Sequence, residues 1–199
     1  MKFVMRHKRW FIALVALGLG VYFVGKAGFF GPTIPSEFES ARLQGALIAE
    51  SIVSLSKKST ESLRHVNELE AQSNFTEASN LIADLVKESQ EIRRKAVELS
   101  GELERMTQAL SSINSFDARQ AALESIANRL ALINRLINYS SYLSDLLNVL
   151  DKRFSGDPGN GQEIETLVSQ INAEVIAINS FNEQAGQAMS RFDAVIRGN

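Results

Sequence analysis

From residue 36 to residue 157 the chain contains no proline; its three prolines are Pro32, Pro35 and Pro158. Inside the segments with helical periodicity the only glycines are Gly45, Gly101 and Gly186. Proline and glycine are the residues that end helices, so such sparse punctuation predicts a few very long helices rather than strands and turns. The apolar residues agree, recurring at alternating spacings of three and four. A first segment, about 37–71, places Phe38, Ala41, Gly45, Ile48, Ile52, Leu55, Ser59, Ser62, Val66 and Leu69 on one face. A second, about 76–112, runs from Ala78 through Ile82, Leu85, Ser89, Ile92, Ala96, Leu99, Leu103 and Met106 to Leu110 and Ile113. The third, about 116–154, gives Leu123, Ile126, Leu130, Ile133 and Ile137, then shifts to Leu143, Leu147, Leu150 and Phe154. In the last, about 162–197, the stripe is Ile164, Val168, Ile171, Val175, Ile178, Asn182, Ala185, Met189, Phe192 and Ile196.

Heptad spacing over four or five repeats predicts coiled-coil-like packing. Flanking Leu47, Leu63, Leu81, Leu132, Leu136 and Leu146 widen the stripes to suit a bundle interior. The connectors Gln72–Phe75 and Ser112–Ser115 are short and force neighbours antiparallel, whereas Ser155–Gly161 is a longer glycine-rich loop. Ser36 and Ser115 are expected N-caps, and Asn74 with Glu77 forms a capping-box pattern. Phe38, Phe116 and Phe192 are expected to plug one end of the bundle, Phe75 and Phe154 the other. Each helix of some 35 residues should be about 50 Å long.

Ahead of this region, residues 10–25 form an uncharged apolar run behind Lys2, Arg6, Lys8 and Arg9. As helix they span roughly 24 Å; snorkelling of Lys26 and the apolar residues to Phe30 extend the run toward the ~30 Å hydrocarbon core. Trp10, Phe11 and Tyr22 place aromatic rings near the interfaces. The expectation is a retained signal anchor, the cleaved alternative having only Gly25 and Ala27 as a poor peptidase site. The basic cluster then keeps the N-terminus cytoplasmic and sends the rest outside, to periplasm or cell surface. The expected organisation is a cytoplasmic basic tail at 1–9, a transmembrane helix at 10–30, a linker at 31–36, and an elongated antiparallel four-helix bundle at 37–199.

Beyond Lys26 the chain carries 16 basic against 23 acidic residues, a net charge near −7 that repels phosphate backbones and argues against nucleic acid as a partner. The absence of cysteine removes disulfides, thiol catalysis and cysteine-ligated metals together. His65, flanked by Glu61 and Glu68, lacks the Glu-x-x-His pairs of bundle metal sites and reads as surface. No phosphate loop or nucleophile elbow occurs, so neither enzyme activity nor a cofactor is expected. Asn74-Phe-Thr and Asn138-Tyr-Ser match glycosylation sequons, at a frequency chance explains.

Folding at the turns brings Ser59, Ser62, Ser89 and Ser140 to one level, a small polar core layer. Such a layer either houses a ligand, as bundle cores do, or lets helices approach closely while each hydroxyl bonds its own backbone. Asn134, Asn138, Asn179 and Asn182 lie on or beside the last two stripes, where buried asparagine sets register or homo-oligomeric state, or else forms a polar recognition groove.

The order of anchor and bundle resembles the extracytoplasmic four-helix sensor domains of bacterial chemoreceptors, a likeness that implies a ligand-binding bundle. The chain departs from them in that no second apolar span or signalling region is expected after Asn199. The likeness therefore implies only an accessory subunit. Pilins also begin with an apolar helix, yet their early glutamate has no counterpart here, since Glu37 follows the apolar run. The leading expectation is a membrane-anchored interaction or scaffold module of the cell envelope with protein partners.

Overall fold

The structure, a computed structural model, describes residues 34–156 and 161–198. Four long helices make up nearly all of it: α1 (Ser36–Ala71), α2 (Phe75–Ala109), α3 (Phe116–Phe154) and α4 (Gly161–Arg197), with a 3₁₀ turn at Leu110–Ser112. No strand occurs among the described residues, and none of their helices is long and apolar enough to cross a membrane. The expected basic tail and the anchor with Trp10, Phe11, Tyr22 and Lys26 lie outside the described residues.

Helix boundaries follow the local chemistry. Acidic residues begin the helices, Glu37 and Glu39 in α1, Glu77 in α2, Asp117 in α3 and Glu163 in α4, while Lys152 and Arg153 close α3. Both patterns complement the helix dipole. Ser115 caps α3, its hydroxyl accepting the Ala118 amide at 3.3 Å. Ser36 does not cap α1: it is the first helical residue, and Pro35 holds the cap position without a side-chain bond. Proline has no side-chain acceptor to offer the amides of the first turn, so this end carries no side-chain cap. Asn74 spends its amide on the Glu77 carboxylate at 2.7 Å instead of capping backbone.

The α1–α2 turn closes with the Asn74 amide on the Leu69 carbonyl (2.9 Å) and the Ser73 amide on Glu70 (3.0 Å). This double closure needs a left-handed residue at its corner, and Ser73 supplies it with φ 59°. At the end of α3 the corresponding corner is Gly156, φ 98°. A side chain in that region costs about 1 kcal/mol relative to glycine. Ser73→Gly is therefore expected to raise stability by about 1 kcal/mol in urea unfolding followed by circular dichroism, and an unchanged or lowered midpoint would contradict the turn.

Cross-helix pairs display the antiparallel order: Ser59 with Glu88, Ser79 with Asp151, Ser125 with Ala185, and Phe38 with Phe192. Helices adjacent in sequence pack along their length, whereas α1 and α4 have little close backbone approach. Side chains instead close the α1–α4 seam at one end. The rings of Phe38 and Phe192, both fully buried, stand 5.2 Å apart and tilted at 35°.

The α2 stripe is buried as expected from Ala78 to Met106, with Ile113 beyond it and Leu110 half-buried. On α3 the expected stripe is buried at Ile126, Ile133, Leu143 and Leu147 and half-buried at Ile137, Leu150 and Phe154, but it fails in the first half of the helix. Leu123 and Leu130 are exposed, and Ala118, Ala121, Ala122 and Ser125 take their place against Ala185 and Ala188 of α4. The reason is the closeness of that pairing: the Ser125 hydroxyl donates directly to the Ala185 backbone carbonyl at 2.9 Å, an approach that leaves no room for leucine. Leu47 of α1, expected to widen the stripe, is also exposed. So is Phe116, which plugs nothing. At the opposite end Phe75 and Phe154 do meet, with ring centroids 5.7 Å apart.

Candidate functional site

A bundle core should be apolar, so its polar groups are where chemistry or recognition can reside. The serines come first. Ser59, Ser89 and Ser140 are buried, and Ser62 is half-buried. Ser59 donates to Glu88 Oε2 across the α1–α2 interface at 2.8 Å, while Lys58 binds the other oxygen at 2.7 Å. That hydrogen bond, and then the Glu88 charge, raise the Lys58 ammonium above the ordinary lysine range. Ser89 reaches its own Val86 carbonyl at 3.1 Å and lies 2.6 Å from the Ser144 hydroxyl of α3. If Ser89 donates to Val86, Ser144 must donate to Ser89, since a hydroxyl carries one proton. Ser140 donates to its Ile137 carbonyl at 3.2 Å. The layer thus links three helices through Ser59–Glu88 and Ser89–Ser144, with Ser62 outside these bonds. Tyr139, beside Ser140, is fully buried, and desolvation pushes its phenol well above the usual range.

A second group lies toward the Phe38 end. Arg42 is buried, and its guanidinium grips Asp193 of α4 through two bonds of 2.7 and 2.9 Å. Glu39 stands 3.8 Å from the same guanidinium, its enclosed Oε2 accepting no hydrogen bond among the described residues. On α3 the half-buried Arg129 lies near enough to feel the Arg42 charge. Its Nε is fully enclosed, and among the described residues the side chain meets no hydrogen-bond acceptor or carboxylate. Desolvation, and then the charge of Arg42, pull the Arg129 guanidinium down to about 10, which still leaves it charged near neutrality.

A third group is Glu174 of α4, buried, with Oε1 accepting from Asn138 at 3.3 Å and lying 3.5 Å from Arg135. Its Oε2 accepts no hydrogen bond among the described residues. Asn134 is exposed. Asn179 and Asn182 line a cavity of about 40 Å³, partly open to solvent, with Ala49, Ile52, Val53, Leu99, Leu132, Leu136 and Ile178. All four helices contribute to that wall.

No family model, curated protein or solved structure matches the chain.

Sequence periodicity picks out the serines and asparagines but passes over Arg42, Arg129 and Glu174. A signal for Arg129 does exist: it stands three residues after Ile126 and four before Ile133, which is a heptad core position. Leu130 competes for that position on hydrophobicity and wins the sequence-based assignment. Among the described residues no cluster of three or more metal-ligating side chains occurs, and His65 is exposed, 3.4 Å from Glu68.

Proposed function

We propose that this protein is a membrane-anchored helical bundle of the cell envelope that serves as an interaction or scaffold module for protein partners. The observation that carries this reading is the distribution of exposed large apolar side chains. Among the described residues Leu43, Leu47, Val97, Phe116, Leu123 and Leu130 lie in the half of the bundle nearer residue 36, and only Phe75 and Ile176 in the other. Leu43 and Leu47 stand one turn apart on α1, more than half exposed and pointing away from the core. The adjacent pair Leu43 and Leu47 gives a small apolar patch of the kind a docking surface uses. The half that carries them adjoins the apolar run at 10–30, so an anchored chain would present this surface close to the bilayer.

Photo-crosslinkers placed at Leu43 and Leu47 in intact membranes, read by mass spectrometry, are expected to capture a reproducible protein neighbour, a second copy of the chain included. The double variant Leu43→Asp, Leu47→Asp should keep helicity and thermal midpoint yet lose that neighbour. Absence of any neighbour above background, or its persistence in the double variant, would count against the scaffold reading.

A further inference from the structure

The outer face of α3 is built as a helix seam. Phe116, Gln120, Leu123, Ala127, Leu130 and Asn134 alternate at spacings of four and three, and every one of them is exposed. The stripe lies on the side of α3 opposite Ala118, Ala122 and Ser125, which pack inward. No charge falls on it. The same spacing on the outer face of α1 runs from Leu43 and Leu47 into Glu50, Lys57 and Glu61, and on α2 it carries Arg94 and Glu104 beside Val97. On α3 the two leucines take d-type heptad positions. Gln120, Ala127 and Asn134 take a-type ones, where an asparagine fixes register and the number of strands.

A face of this kind suits a second copy of itself. In a parallel pair related by a two-fold axis each seam residue meets its own counterpart, so a charge there would be opposed by an identical charge. The neutral seam removes that repulsion, and its flanks add attraction. Arg119 precedes Gln120 at a g-type position, and among the described residues its side chain has no hydrogen bond or ion pair. Glu124 follows Leu123 at an e-type position and gives only its Oε2 to Arg191. In parallel pairs, g residues of one strand meet e residues of the other one heptad on. Arg119 of one copy thus faces Oε1 of Glu124 on the second.

We propose that two copies of this chain pair in parallel through the outer faces of α3, from Phe116 to Asn134, with Arg119 and Glu124 bridging the copies on both sides. This names a face and its occupant within the interaction reading, and it rests on that reading for the anchor that holds both copies upright in one bilayer. The seam is about 27 Å long, under three heptads. So short a seam buries too little surface for a tight pair in dilute detergent, and tethering to one membrane supplies the missing concentration.

The chain has no cysteine, so disulfide mapping starts from a clean background. Leu123→Cys, Ala127→Cys and Leu130→Cys, made singly in the full chain and oxidised mildly in isolated membranes, should each give a disulfide-linked dimer. Residues that meet their counterparts across such a seam lie within disulfide reach. The yield should exceed several-fold that of Leu47→Cys on α1 and Ile176→Cys on α4, exposed positions off the seam that report chance collision. Ala127→Glu, which sets two like charges face to face, should remove the Leu123→Cys product. Arg119→Glu should lower that product several-fold, and Glu124→Arg added to it should restore it. These positions are exposed or half-exposed, so helicity and the thermal midpoint in dilute detergent should stay at the parent's values. No dimer above the Leu47 and Ile176 controls would overturn the proposal. Linkage at only one of the three positions would do so too, because an antiparallel pair brings together only residues on its axis. A product of another mass would assign the face to a different protein and equally end the self-pairing. A neighbour captured at Leu43 and Leu47 without disulfides along α3 sinks the dimer and leaves the interaction reading standing. Disulfides along α3 without that neighbour keep the pair and count against the wider scaffold.

Discussion

Replacing Asp193 with alanine is expected to cost about 3 kcal/mol of stability, the lower end of what breaking one side of a buried ion pair costs. Arg42 has 9% of its side chain exposed and Asp193 22%, and the two bonds between them are the main polar link across the α1–α4 seam. Removing the carboxylate leaves the buried Arg42 guanidinium with Glu39, 3.8 Å away, as its nearest anion among the described residues, and with the repelling charge of Arg129 close by. Part of the loss is recovered as Glu39 swings inward from 3.8 Å and as water reaches the half-open end, which keeps the effect from the top of the range. Urea unfolding of Asp193→Ala should show the lowered midpoint with an unchanged slope. The paired change Arg42→Met with Asp193→Leu, which removes both charges and keeps the volume, should return to within about 1 kcal/mol of the parent. A single variant within 0.5 kcal/mol of the parent, roughly the scatter of surface substitutions, would mean the pair carries no weight in the seam.

Phe192→Ala is expected to be more damaging still, at about 3–5 kcal/mol. The ring is fully buried and stacks at 5.2 Å on Phe38, which is fully buried too. The backbones of α1 and α4 come close at few points, so this aromatic pair supplies much of the contact between the first helix and the last. Truncation leaves a cavity that two stiff 36- and 37-residue helices cannot collapse to fill. An aromatic pair adds about 0.5–1.5 kcal/mol beyond the buried area, and that is lost as well. The informative control is Phe116→Ala. The same residue type, assigned by its position in the sequence to the same end plug, is 69% exposed and should cost less than about 0.5 kcal/mol. Equal losses at the two sites would refute the arrangement of this end.

The contrast between Phe192 and Phe116 shows where sequence reasoning holds and where it stops. Helix existence, number and limits follow from local chemistry. Absence of proline and apolar spacings of three and four make α1 through α4, and the polar stretches around Ser73, Asn114 and Gly156 end them. Each of these effects acts over a few residues, so the chain carries it wherever it is placed. The antiparallel order follows as well, because connectors this short allow no other path.

The rotation of α3 about its own axis is a different matter. In the first half of that helix two faces are apolar, one carrying leucine and one alanine, and hydrophobicity alone favours the leucines. Only the presence of Ala185 and Ala188 on α4, close enough for Ser125 to bond the Ala185 carbonyl, turns the alanine face inward and leaves Leu123 and Leu130 in solvent. The same rotation half-buries Arg129, encloses its Nε and sets it near Arg42. By itself the sequence determined four helices, their lengths and their order. Tertiary structure decided which face of α3 is buried, which aromatic rings pair and which charges meet, because those depend on how near a second helix can come, a property no single helix possesses.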